Sequence, residues 1–149
     1  MKSLIAFLLI FLLGLIGVNS CEQTPKAAEF IKSQHPKRQN TPFSAAVRSG
    51  NLLFLSGQIG RNHDTGVLPD GIAAQTRQAI QNIEAVLKHN NSSLDKVIKC
   101  TVILSDIQDF EAFNAEYVKY FPNKPARTTF AASGLAGQAL IEIDVIAEP

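Results

Sequence analysis

With 149 residues, 14 Lys and Arg against 13 Asp and Glu, and a net charge of +1, the chain is one domain's worth of sequence with almost no field of its own. It has no basic stripe and little attraction for phosphate, so nucleic acid is not an expected partner. Two cysteines, Cys21 and Cys100, make no disulfide framework, although one bridge between them stays open.

Lys2 precedes an unbroken apolar run from Leu4 to Val18, and Asn19-Ser20-Cys21 follows. A basic start, an apolar stretch with no polar face and small residues at its end describe an export signal over Met1 to Ser20. The run falls short of the roughly 18 apolar residues of a membrane-spanning helix. Ser20-Cys21 is similar to a lipobox, which would place a diacylglyceryl anchor on Cys21; Asn19 fits that pattern poorly, and a plain signal-peptidase cut fits equally well. The expected location is therefore periplasmic or secreted, with a membrane contact only through a lipid on Cys21. Residues 21–41 are polar, carry Pro25 and Pro36, and read as a tether or loosely docked arm; residues 42–149 read as the folded domain.

Phe43 to Val47 and Leu52 to Gln58 form an expected hairpin about Ser49-Gly50-Asn51. Leu52 to Leu55 are apolar on both faces. A turn-rich loop over Arg61 to Gly71 leads into a helix from Ile72 to His89, with Ile72, Thr76, Ala79, Ile80, Ile83, Val86 and Leu87 at helical spacing. Val97 to Leu104 is rich in β-branched residues and reads as a strand that buries Cys100 as a small hydrophobe. A second helix starts near Asp106 or Asp109, either a suitable cap, and carries Ile107, Phe110, Phe113, Tyr117, Val118 and Phe121. Two strands close the chain, Arg127 to Ala132 and Ala139 to Ala147.

The order β-β-α-β-α-β-β predicts an α+β fold, one mixed sheet with two helices on one face. Two helices cannot cover both faces, and the second strand is apolar on both sides. A second copy of the chain is the expected cover.

The last two strands carry the most informative residues. Ala139, Ile141, Ile143, Val145 and Ala147 alternate with Leu140, Glu142, Asp144 and Ile146. If Arg127 to Ala132 pairs with this strand as a hairpin, Phe130 covers the isoleucines, and Arg127 and Thr129 share the other face with Glu142 and Asp144. A guanidinium that forks onto a carboxylate, beside an acid that handles a water, suits hydrolysis of a small keto-acid-like molecule. The plain alternative is a cross-strand ion pair on a solvated face. Leu55-Ser56-Gly57-Gln58 ends a buried strand where Gly57 admits a ligand to the backbone, or merely marks a bulge. Asn114, on the second helix, is by itself an ordinary helical asparagine. His35, His63 and His89 lack metal-ligand spacing.

Taken together, Leu55-Ser56-Gly57-Gln58-Ile59, the Asp64-Thr65-Gly66 turn, Ala74 to Gln78, Asp109-Phe110 to Asn114-Ala115, Pro125-Ala126-Arg127 and Ile141-Glu142-Ile143 resemble the RidA (YjgF/YER057c/UK114) family in order and spacing. The resemblance spans about residues 41–148. It implies a chorismate-mutase-like fold, a homotrimer with sites in clefts between subunits, and cofactor-independent deamination of 2-enamine and 2-imine acids such as 2-aminoacrylate and 2-iminopropanoate to 2-keto acids. It assigns Arg127 to the substrate carboxylate, Glu142 to the water, and Ser56, Gly57 and Asn114 to the pocket. Phe43 stands where the archetype has tyrosine, and Thr129 where it has cysteine. Non-catalytic capture or sensing of a small carboxylate is the rival reading, favoured by Phe43 and the export signal.

Overall fold

The computed structural model describes residues 27–149. The expected export signal and Cys21 lie outside the described residues. Among those described, no helix is long and apolar enough to cross a membrane.

Among the described residues seven strands form one mixed sheet: β1 (Glu29–Ile31), β2 (Ala46–Ser49), β3 (Leu52–Leu55), β4 (Gln58–Ile59), β5 (Val97–Leu104), β6 (Ala126–Ala131) and β7 (Ile141–Ala147). Their order across the sheet is β1-β2-β3-β7-β5-β6, with β4 also on β7. Helices α1 (Ile72–His89) and α2 (Phe110–Tyr117) pack on one face, as the fold-class expectation required.

Each element follows its local pattern. Gly50 takes φ 56° at the β2–β3 turn, a left-handed conformation that glycine enters without steric cost. In α1 the stripe residues Thr76, Ala79, Ile80, Ile83 and Leu87 are completely buried. In β7 the alternate residues Ile141, Ile143, Val145 and Ala147 are buried under the helices. The Asp106 side chain accepts from the Gln108 backbone N–H and starts a single turn of tight helix that feeds α2. Of the α2 stripe, Phe113, Tyr117 and Phe121 are buried, whereas Ile107, Phe110 and Val118 are exposed. The expected stripe was too wide for a helix of only 8 residues.

Three sequence expectations change. Residues 29–31 are an edge strand paired with β2, so the arm extends the sheet beyond the expected boundary at residue 41. Strands β6 and β7 do not form a hairpin. Strand β5 lies between them, parallel to β6 and antiparallel to β7. The third follows from the second. Arg127 pairs with Cys100 and through it with Val145, on the helix face. Phe130 pairs with Ile103 and through it with Glu142, on the open face. The alternation within each strand was read correctly, but the strand between them inverts which residues share a side.

Candidate functional site

The expected site residues fall into two groups in one protomer. Strand β7 places Glu142 on the open face, opposite Ile59 of β4 and Ile103 of β5. Gly57 sits against its carboxylate: a Cβ at Gly57 would stand 2.8 Å from Glu142 Cδ and closer still to Oε1. A side chain at position 57 would therefore displace the Glu142 carboxylate from this position. Next to it, the Ser56 hydroxyl donates to the Ser44 carbonyl at 2.7 Å, tying the end of β3 to the segment that leads into β2. Ser56 and the exposed ring of Phe43 line one open hollow of about 720 Å³.

The second group belongs to β6 and α2. Arg127 Nη1 donates to Asn114 Oδ1 at 2.9 Å. Its guanidinium lies over three rings of α2, 4.6 Å from the Tyr117 centroid, 5.3 Å from Phe113 and 5.8 Å from Phe110. Positions 110, 113, 114 and 117 occupy one helical face, so about two turns of helix build the whole cradle. Thr129, two residues along, turns to the same side, and its buried hydroxyl has no protein partner among the described residues. No carboxylate pairs with Arg127 there either.

The aromatic cradle is the part sequence reading missed. At helical spacing Phe110, Phe113 and Tyr117 read as core packing, and their burial agrees with that for Phe113 and Tyr117. The available signal was Asn114 inside the same i, i+3, i+7 set. Tyr117 also donates to Cys100 Sγ at 3.2 Å. Burial pushes the Cys100 thiol and, further, the Tyr117 phenol upward, so both stay protonated and neither supplies a nucleophile.

Residues 33–149 match the family model described as Endoribonuclease L-PSP. A solved structure from Yersinia pestis, described as of unknown function in the conserved Rid protein family, superposes with a TM-score of 0.77 at 37% identity, over 83% of this chain and all of that one. The chain belongs to the RidA family. A RutC family protein of Pyrococcus horikoshii is 42% identical over 121 residues, 80% of this chain and 96% of its own length. The chloroplastic Reactive Intermediate Deaminase A of Arabidopsis thaliana is 39% identical over 121 residues, 80% of this chain and 65% of the relative. Family membership fits the sheet order and the two helices. Arg127 and Glu142 lie on opposite faces of the sheet within one protomer.

Proposed function

We propose that the protein hydrolyses reactive 2-imino acids to 2-keto acids and ammonia, in sites completed between copies of the chain in a trimer. The observation that carries this reading is Arg127: a guanidinium held by Asn114 and three rings, with no acid of its own among the described residues. Such a fork is already oriented for a substrate carboxylate. One protomer contributes Arg127, Asn114 and Thr129; its neighbour contributes Glu142, Gly57, Ser56 and Phe43. The Arabidopsis relative named as a reactive intermediate deaminase supports the chemistry.

In this mechanism Arg127 fixes the carboxylate, and with it the imine carbon. Glu142 accepts a proton from a water as that water's oxygen bonds to the carbon. The C=N π pair moves to nitrogen, which takes that proton back from Glu142; Glu142 then passes the hydroxyl proton to the same nitrogen as the C–N bond breaks, so ammonia leaves and the keto-acid carbonyl remains. Imines hydrolyse readily, so orientation supplies most of what is needed. The open sheet face supports the assembly: Phe30, Phe54, Ile98 and Phe130 are 73%, 40%, 43% and 44% exposed in a single protomer.

Phe43 favours a second reading, since a bare ring supplies no hydroxyl to the hollow it lines with Ser56. There the same cleft binds small carboxylates without turnover. Assaying purified protein with enzymatically generated 2-iminopropanoate separates the two. Ammonia release above the spontaneous rate is the expected result; binding of pyruvate with no acceleration supports capture instead. Export with loss of Met1 to Ser20 belongs to the same proposal. Intact mass of native material checks it, and a diacylglyceryl adduct on Cys21 selects the anchored form.

A further inference from the structure

A second hollow of about 360 Å³ opens on the helix side of the sheet, where the segment after β1 passes over the C-terminal half of α1. Phe43, Ala45, Ala85 and Val86 give it apolar walls, Arg38 and His63 meet at one polar corner, and polar groups that include Lys32 and His89 line the rest. It shares Phe43 with the larger hollow that Ser56 lines, whereas Arg38, Ala85 and Val86 line only the smaller of the two, and Arg127 is on β6 at the other edge of the sheet.

Arg38 is the unusual group. It is half-buried, and desolvation already weakens its hold on the proton. Among the described residues no carboxylate pairs with it. Its Nη1 donates to Gln58 Oε1 at 3.0 Å and to His63 Nε2 at 2.6 Å. Gln58 is itself almost wholly buried, which fixes the guanidinium plane. To accept from arginine, His63 must be neutral, and it is: burial foremost, then the charge of Arg38 and the neighbouring His35, pull its pKa down to about 4. Both Nη1 hydrogens are thereby used. The Nε and Nη2 donors have no protein acceptor among the described residues, and that edge of a guanidinium matches the two oxygens of a carboxylate. A half-buried cation whose neutral neighbours orient it, beside an apolar hollow, is built for an anion with an apolar body.

We propose that this hollow is a second ligand site, which takes a small monocarboxylate with an apolar chain: the carboxylate on Arg38, the chain between Phe43, Ala85 and Val86. Isothermal titration of hexanoate into the purified protein tests it, on an Arg127→Ala background that removes the carboxylate fork at the other edge. Hexanoate should bind with near 1:1 stoichiometry per chain, while hexan-1-ol and hexylamine should bind at least tenfold more weakly. Arg38→Gln, which keeps a donor for Gln58, should weaken hexanoate about 10-fold or more, the usual consequence of losing a charge-assisted pair. Ala85→Phe fills the hollow from the exposed face of α1 and should abolish binding without touching the core. Saturation with hexanoate should also raise the pKa of the His63 imidazole seen by NMR, because an anion then faces it alongside Arg38, His35 and Asp64. The proposal is overturned if hexanoate does not bind at millimolar concentration. It is equally overturned if hexanol binds as well as hexanoate, or if both variants bind like the parent.

Discussion

The proposed mechanism gives Arg127 and Glu142 different work, and single substitutions should separate them. Lysine at 127 keeps a charge but loses the planar fork that Asn114 and the Tyr117 ring orient. Arg127→Lys is expected to lower kcat/KM by about 10- to 100-fold, with the loss shared by product affinity, since the contact exists in ground and transition states alike. Turnover and affinity like the parent's would remove Arg127 from the role. Glu142→Gln should instead hold pyruvate affinity and lower imine hydrolysis by roughly 100-fold, the contribution typical of a positioned base. An unchanged rate would make Glu142 a structural neighbour of Gly57 and nothing more. The sequence singles these two residues out because Pro125-Ala126-Arg127 and Ile141-Glu142-Ile143 carry a family pattern. The cradle under Arg127 was not legible there, because aromatic side chains at helical spacing look the same whether they face a core or a cation.

At the scale of elements, burial periodicity was strong enough to place α1 and β5 with the observed bounds and to assign the buried face of β7. Strand pairing was not legible. A side-chain period of two says which residues share a face of one strand, but not which strand lies beside it. The nine residues 132–140 are long enough to carry the chain past β5, and Gly137 and Gln138, at φ 61° and 60°, make that turn. Close packing of elements leaves its own tests. A Cβ on Gly60 would lie 2.6 Å from Gln75 Cα, on the backbone of α1, where neither side can yield. Gly60→Ala should therefore cost about 1–3 kcal/mol in chemical denaturation, and no loss would show that α1 sits further from β4. The helices are also stapled: buried Glu116 of α2 accepts from Arg77 of α1 at 3.0 Å and from Lys119 at 2.6 Å. The Lys119 contact foremost, with Arg77, holds the carboxyl below its ordinary range. A depressed carboxyl stabilises the fold above its unfolded-state pKa, and that stability disappears as pH falls through the lower folded value. Thermal stability should drop on acidification more steeply in the parent than in Glu116→Gln; parallel curves would rule the staple out.

The whole molecule is where the separation of Arg127 from Glu142 is decided. A sheet with helices on one side leaves the other side open to the proposed neighbour, and Phe54 and Phe130 stand at opposite parts of that side, on β3 and β6. In the proposed cyclic trimer each interface joins two different patches of the same surface, so every site would draw its two halves from two chains. This arrangement makes a prediction that no one-protomer site can share. Arg127→Ala and Glu142→Ala should each be nearly inactive alone. Denatured together in equal amounts and refolded, they form mixed trimers. An interface is intact when the chain giving its Arg127 half is the Glu142 variant and the chain giving its Glu142 half is the Arg127 variant. Random assembly meets that condition at about one quarter of the interfaces, so close to a quarter of the parent's activity per chain should return. Light scattering on the same sample should report three chain masses. If both variants refold to trimers and activity stays at background, Arg127 and Glu142 do not act in one site. If mixing is unnecessary because either variant alone retains turnover, that residue is dispensable. A monodisperse monomer that still hydrolyses the imine would place the entire site within one protomer, and would require a route for Arg127 around the edge of β6.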